Sequence, residues 1–176
     1  MKTTTARFAL ALSLAAMTAF PILAQRGDDA NRRSKNGRAE GTAGGARLTV
    51  EYGRPSVNGR DNWGALVPYG KVWRTGADEA TTVAVDRDVL VEGQRLPAGT
   101  CSLFTIPGEK SWTVIFNKAA QQWGAFDYDA GEDALRVEVA PRAHDHVEAF
   151  EIAIEGDTIV RRWAELEIPV RLAAAG

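Results

Sequence analysis

Residues 100–117 read Thr-Cys-Ser-Leu-Phe-Thr-Ile-Pro-Gly-Glu-Lys-Ser-Trp-Thr-Val-Ile-Phe-Asn. Two runs rich in β-branched and aromatic residues, 100–106 and 111–117, flank the tetrapeptide Pro107-Gly108-Glu109-Lys110. Proline presets φ at one central turn position and glycine supplies a positive φ at the next, so the stretch predicts a β-hairpin. The same two-residue period continues on both sides. Leu48, Val50 and Tyr52 alternate with Thr49 and Glu51; Val83 and Val85 follow Thr81; Val89 and Val91 precede the turn Glu92-Gly93-Gln94-Arg95. Leu135, Val137 and Val139 form another run before Pro141, residues 147–154 a further one, and 158–172 the last. In that last run Ala164, Leu166, Ile168 and Val170 share one face while 159–163 keep the opposite phase, which predicts a bulge near Arg162. One helical turn is expected near 117–122, and no longer helical period occurs. Roughly eight short strands separated by Gly, Pro, Asp and Asn turns predict an all-β protein, an antiparallel β-sandwich of jelly-roll-like kind.

Residues 53–79 interrupt the alternation for about 27 residues, far beyond the usual connection of roughly 4–6. A loop of that length is either functional or packed as a structural cover, and here it is expected to fold, ordered, over one end of the sandwich.

The chain has 176 residues, 45% hydrophobic and 25% charged, the composition of an ordinary globular domain. Lys2 and Arg7 precede an uncharged run, Phe8–Ala24, that closes on Ile-Leu-Ala. This is the pattern of a secretory signal peptide over 1–24, with an uncleaved signal anchor as the alternative. No cysteine follows for lipid attachment, so a chain beginning near Gln25 is expected in the periplasm or medium with no stable membrane anchor. Residues 25–46 are rich in Gly, Asn and Arg and poor in large apolar side chains, and are expected to be a disordered linker ahead of a sandwich domain over 47–172. Beyond the signal there are 19 basic and 23 acidic residues, and from Arg47 onward 14 and 20. That acidic body excludes nucleic acid as a partner. Cys101 is the only cysteine, so no intramolecular disulfide exists; inside an apolar run without an adjacent histidine it reads as a small core residue.

A family resemblance rests on an ordered series of words: Arg54-Pro55-Ser56, Gly59-Arg60, Trp63-Gly64, Leu66-Val67-Pro68-Tyr69-Gly70, Val72-Trp73-Arg74-Thr75-Gly76-Ala77-Asp78-Glu79-Ala80-Thr81, Leu96-Pro97-Ala98-Gly99-Thr100 and Trp112-Thr113-Val114-Ile115-Phe116-Asn117-Lys118. Over about residues 47–170 the chain resembles the bacterial family called domain of unknown function 2911. The resemblance implies an exported, β-rich bacterial domain with no assigned reaction. Cys101 stands where the family tends to carry an aromatic.

The candidate ligand-binding set is Arg54, Arg60, Tyr69, Trp73, Arg74, Asp78 and Glu79. Planar aromatics stack on flat groups, and guanidinium forks clamp carboxylates or phosphates. The same residues could instead pin the loop, with Trp63 and Trp73 plugging the sandwich and Asp78 or Glu79 pairing with Arg74. His144-Asp145-His146 lacks further ligands and reads as a solvated turn; Asp127–Asp133 has calcium-like spacing but misplaces its glycine and lacks the closing glutamate. No phosphate-binding glycine loop, nucleophile elbow or metalloprotease helix motif is present. No catalytic residue, metal or cofactor is expected. The reading is a non-enzymatic module binding a small ligand, glycan or protein; the alternative is a carboxylate-dependent hydrolase of an envelope or extracellular substrate, using Asp78, Glu79 or Asp127.

Overall fold

The computed structural model describes residues 26–176, and the expected signal peptide lies outside them. Ten strands form two antiparallel sheets. In chain order they are β1 (Lys35–Ala43), β2 (Ala46–Arg54), β3 (Thr81–Val85), β4 (Val89–Val91), β5 (Gln94–Leu96), β6 (Gly99–Ile106), β7 (Trp112–Asn117), β8 (Asp133–Val139), β9 (Arg142–Glu155) and β10 (Thr158–Ala174). One sheet has the order β1-β2-β3-β6-β7-β8 and the other β5-β4-β10-β9. Alternate residues of both sheets meet in one core, among them Leu48, Val50, Leu103, Phe116, Val137 and Ile152. The hydroxyl of Tyr52 on β2 crosses it to donate to the carbonyl of Ile152 on β9 (3.2 Å). A smaller cluster of Phe104, Ile115 and Ala80 lies apart from this core. Among the described residues no helix is long and apolar enough to cross a membrane.

The 100–117 hairpin forms as expected, with Ile106 opposite Thr113 and Ser102 opposite Asn117. Its turn differs in detail: Gly108 does not use a positive φ but leaves room for a close approach, since a Cβ there would lie 2.5 Å from the Ser111 carbonyl oxygen. The bulge near Arg162 is present as register shifts across Arg162, Ala164 and Leu166, with Ala164 left-handed at φ 51°.

Three expectations are corrected. The linker over 25–46 is not a disordered spacer: β1 pairs along its whole length with β2, from Lys35 opposite Arg54 to Ala43 opposite Ala46. Its glycines serve packing, because a Cβ on Gly37 would sit 2.5 Å from the Tyr52 ring, and Gly44-Gly45 (φ 57° and 71°) close the two-residue hairpin. The strand count rises from roughly eight to ten through β1 and through β5, which pairs with β4 across the Glu92-Gly93 turn. The helical turn expected near 117–122 is absent; a single 3-10 turn occurs later, at Ala130–Glu132, where the Asp129 carboxylate accepts from the Gly131 N–H. Over 117–122 the Gln122 and Asn117 side chains bond locally in place of a helical backbone ladder.

Residues 55–80 are ordered and span one end of the sandwich. Val57 N–H donates to Glu148 O (2.8 Å) and Phe150 N–H to Pro55 O (2.9 Å), tying the loop to β9. Trp73 and Thr105 exchange backbone hydrogen bonds at 2.7 and 2.9 Å, tying it to β6. Trp63 and Trp73 then pack over the core ends of Trp112 and Trp163, with centroid separations of 4.9–6.5 Å.

Candidate functional site

A cleft of about 420 Å³ opens where the N-terminal arm, the long loop and β10 converge. The arm supplies Arg33 and Ser34, the loop Ser56, Asn58, Arg60, Trp73, Arg74 and Asp78, and β10 Trp163. Two of the lining loop residues, Asn58 (φ 49°) and Asp78 (φ 61°), are left-handed, as is the adjacent Thr75 (φ 55°). Non-glycine residues held there store strain of about 1–3 kcal/mol each, a cost tolerated where surrounding structure fixes the geometry and often found at ligand clamps.

Arg74 is the least satisfied group in this wall. Its Nε is buried with no hydrogen-bond partner among the described residues. Burial pushes its pKa down, opposed only by the charge of Asp78. The expected Arg74 pairing with Asp78 or Glu79 does not form: both carboxylates are taken by the arm. Arg32 Nη1 bonds Asp78 Oδ2 (3.2 Å) and Glu79 Oε2 (2.8 Å), while its Nη2 bonds Glu79 Oε1. Arg26, only 7% exposed, donates to the carbonyls of Ala77, Glu79 and Ala80 at 3.0–3.1 Å and to Glu79 Oε2 at 3.2 Å. The arm that composition reads as spacer therefore builds one side of the site. Burial, the largest single influence on Glu79, raises its pKa. Hydrogen bonds from Arg32 and the backbone, with the charges of Arg26 and Arg32, outweigh burial and hold the carboxyl below the usual glutamate range. A glutamate kept ionised in this way is unsuited to act as a general acid.

Of the seven candidate residues, the fold gathers Arg60, Trp73, Arg74 and Asp78 around the cleft. Arg60 bonds inside its own loop, Nη2 to Ser56 O (2.6 Å) and Nε to Val57 O (3.0 Å). Arg54 turns to the Phe150 carbonyl (3.2 Å), Tyr69 is exposed beside Gly64, and Glu79 lines a separate pocket of about 240 Å³ with Gln122 and Trp123. Sequence reasoning missed Arg33, Ser34, Asn58 and Trp163. Trp163 alone carried a signal, the inward phase it shares with Ile159. Arg33 makes no hydrogen bond or ion pair with the described residues.

The remaining motifs have local explanations. His144 and His146 lie on strand β9, not in a turn, and His146 bonds Glu165 (2.9 Å) and Glu148 (3.2 Å). Asp133 accepts from Tyr128, Arg136 and Asn117 at 2.6–2.8 Å, and burial followed by this bond pushes the Tyr128 pKa up to about 12. Burial likewise raises the Cys101 thiol, which makes it a poor nucleophile. Among the described residues no group of three or more His, Cys, Asp or Glu side chains is placed to hold a metal ion.

Residues 34–172 match the family model described as "Protein of unknown function (DUF2911)". The chain belongs to that family. For this DUF2911 protein, no curated protein and no solved structure gives a match. The matched span opens at Ser34, so it takes in the whole of β1 but leaves Arg26 and Arg32, which fasten the arm to Asp78 and Glu79, just outside.

Proposed function

We propose that this DUF2911 protein is an exported, non-enzymatic β-sandwich that binds a small anionic molecule in the cleft beside Trp73. The observation that carries this reading is the half-buried Arg74 guanidinium, whose Nε finds no protein acceptor while it lines a concave, largely polar space. A buried donor left unpaired costs about 1–3 kcal/mol, and a ligand carboxylate or phosphate removes that cost on binding. Arg33 adds a second cation at the rim, and Trp73 adds an apolar wall for the uncharged part of the ligand. Export is supported by the charge and hydropathy pattern of residues 1–24.

Calorimetric titration tests this with glucuronate, inorganic phosphate and neutral glucose as probes. Binding of an anionic probe but not glucose, weakened about 10- to 100-fold in Arg74→Ala, is the expected outcome for loss of one charge-assisted contact. Equal affinity in Arg74→Ala, or no binding of either anion, removes the proposal.

A further inference from the structure

Behind the Trp73 and Trp163 wall, separate from the cleft, lies a second group of unsatisfied donors. Arg161 on β10 shares the inward phase of Ile159 and Trp163 and is 2% exposed. Its Nε, Nη1 and Nη2 all lack a hydrogen-bond partner among the described residues. Its neighbour Arg162 points the other way and is surrounded by Glu155, Glu167 and Glu151. Arg161 lines a narrow space of about 10 Å³ with Trp63, Trp73, Trp112, Phe150 and Trp163. Two of those indoles, Trp63 and Trp112, carry buried Nε1–H groups that also have no acceptor.

Every unsatisfied group lining this space is a donor; of its two charged residues, Arg161 and Arg162, the second has its guanidinium paired with Glu155 and Glu167, so the one uncompensated charge is positive. Burial, with no opposing carboxylate, pushes the Arg161 pKa down to about 9, so the guanidinium is still mainly protonated at neutral pH. An isolated buried cation is among the most costly features a core can carry. Aromatic faces offset part of that cost by cation–π attraction, but they accept nothing from five guanidinium N–H groups and two indole N–H groups. A water molecule accepts hydrogen bonds and brings no charge. The space is about the size of one water molecule, so sulfate, phosphate and organic acids are excluded, and a single halide ion, somewhat larger than water, enters only with small outward shifts of the surrounding rings.

We propose that the space bounded by Arg161, Trp63 and Trp112 is a buried site for one small monovalent anion of chloride's size, held by the guanidinium and the two indole N–H groups. The anion supplies the missing charge and acceptors at once. It thereby fixes the four-tryptophan cluster on which the long loop rests, independently of what the outer cleft binds.

The test is thermal unfolding of the purified protein at constant ionic strength as chloride or bromide is raised from a halide-free buffer. A site that binds only the folded state raises Tm by roughly 3–6 °C per tenfold halide above its Kd. Arg161→Met is expected to abolish that slope and to be more stable than wild type without halide, since an apolar side chain replaces an unpaired cation. Trp63→Phe keeps the ring and the guanidinium but removes one donor, so it is expected to shift the halide curve at least fivefold toward higher concentration. If Arg161→Met does not fold, the Trp63→Phe shift decides the matter. A halide slope identical in wild type and Trp63→Phe, or no slope in wild type, overturns the proposal and leaves Arg161 as a cation held by aromatic faces alone.

Discussion

Arg32 and Glu79, 47 residues apart in the chain, meet in a two-point fork, with Nη1 to Oε2 at 2.8 Å and Nη2 to Oε1. The fork fastens the arm that precedes β1 to the end of the long loop, and Arg26 completes the fastening from beneath. Sandwich and cover are thus joined by a segment that contributes few apolar side chains. Charge and backbone acceptors hold it, not core burial.

Glu79→Gln is expected to loosen this arm. Partly buried, charge-assisted bonds of this kind contribute about 1.5–3 kcal/mol, so a loss of roughly 2 kcal/mol is expected in urea unfolding. Trypsin is expected to cut after Arg26, Arg32 or Arg33 faster than in wild type. Unchanged cleavage at those sites would show that the fork does not hold the arm.

The same pair fixes a pH dependence. The native Glu79 pKa lies below its ordinary value, so its contribution is complete above the unfolded-state glutamate pKa and is lost as pH falls through the lower native one. Wild type is expected to lose stability relative to Glu79→Gln on acidification across that window, and the two are expected to run parallel above it. Parallel profiles throughout would contradict the assignment.

Trp73→Ala is expected to cost about 3 kcal/mol, the low end of the range for burying and then deleting a large aromatic, because the ring is only half-buried. Its edge and stacking contacts with Trp63, Phe150 and Trp163 at 5.6–6.0 Å make it more than a cleft lining. Trp73→Phe is expected to recover most of the loss in chemical denaturation.

Gly53→Ala is expected to be destabilising by about 2 kcal/mol or more, since an overpacked site must displace its neighbours. A Cβ there would lie 2.2 Å from the carbonyl oxygen of Ala77, a backbone atom that cannot move without dragging Asp78. Reduced Tm together with weaker anion binding is the expected pair of readouts; Tm unchanged would mean that the loop is not held against β2.

Arg74→Ala is expected to leave folding stability within about 0.5 kcal/mol of wild type or to raise it, because the substitution removes a partly desolvated cation with no bonded partner. A loss above 2 kcal/mol in urea unfolding would mark Arg74 as a structural strut.

The sandwich was legible because strands of 5–8 residues announce themselves locally. In β6 and β7 each residue's face follows from its neighbours two positions away, and the intervening turn residues have few conformational options. The bulge near Arg162 was legible for the same reason, as a change of phase. Strand β1 was not, because Gly37, Gly41 and its polar residues lower local apolar content while providing the space that Tyr52 and Ile154 occupy. Of the site, Trp73, Arg74, Asp78 and Arg60 stood out by residue type within one long loop. The arm did not, since Arg32, which bonds Asp78, and Arg33, which lines the cleft, approach from a distant part of the chain.

By itself the sequence determined the β architecture and the long loop across one end, which follow from near-neighbour periodicity and turn chemistry, and the family, which rests on the ordered series of words between Arg54 and Lys118. Only the tertiary structure decided which charges are paired. Arg32 is satisfied by Glu79, Arg74 is left facing a cleft, and Arg161 is buried while Arg162 beside it is neutralised at the surface. Identical side chains take these different states because ion pairing and desolvation depend on distance and burial in space, which adjacent positions in a chain do not encode.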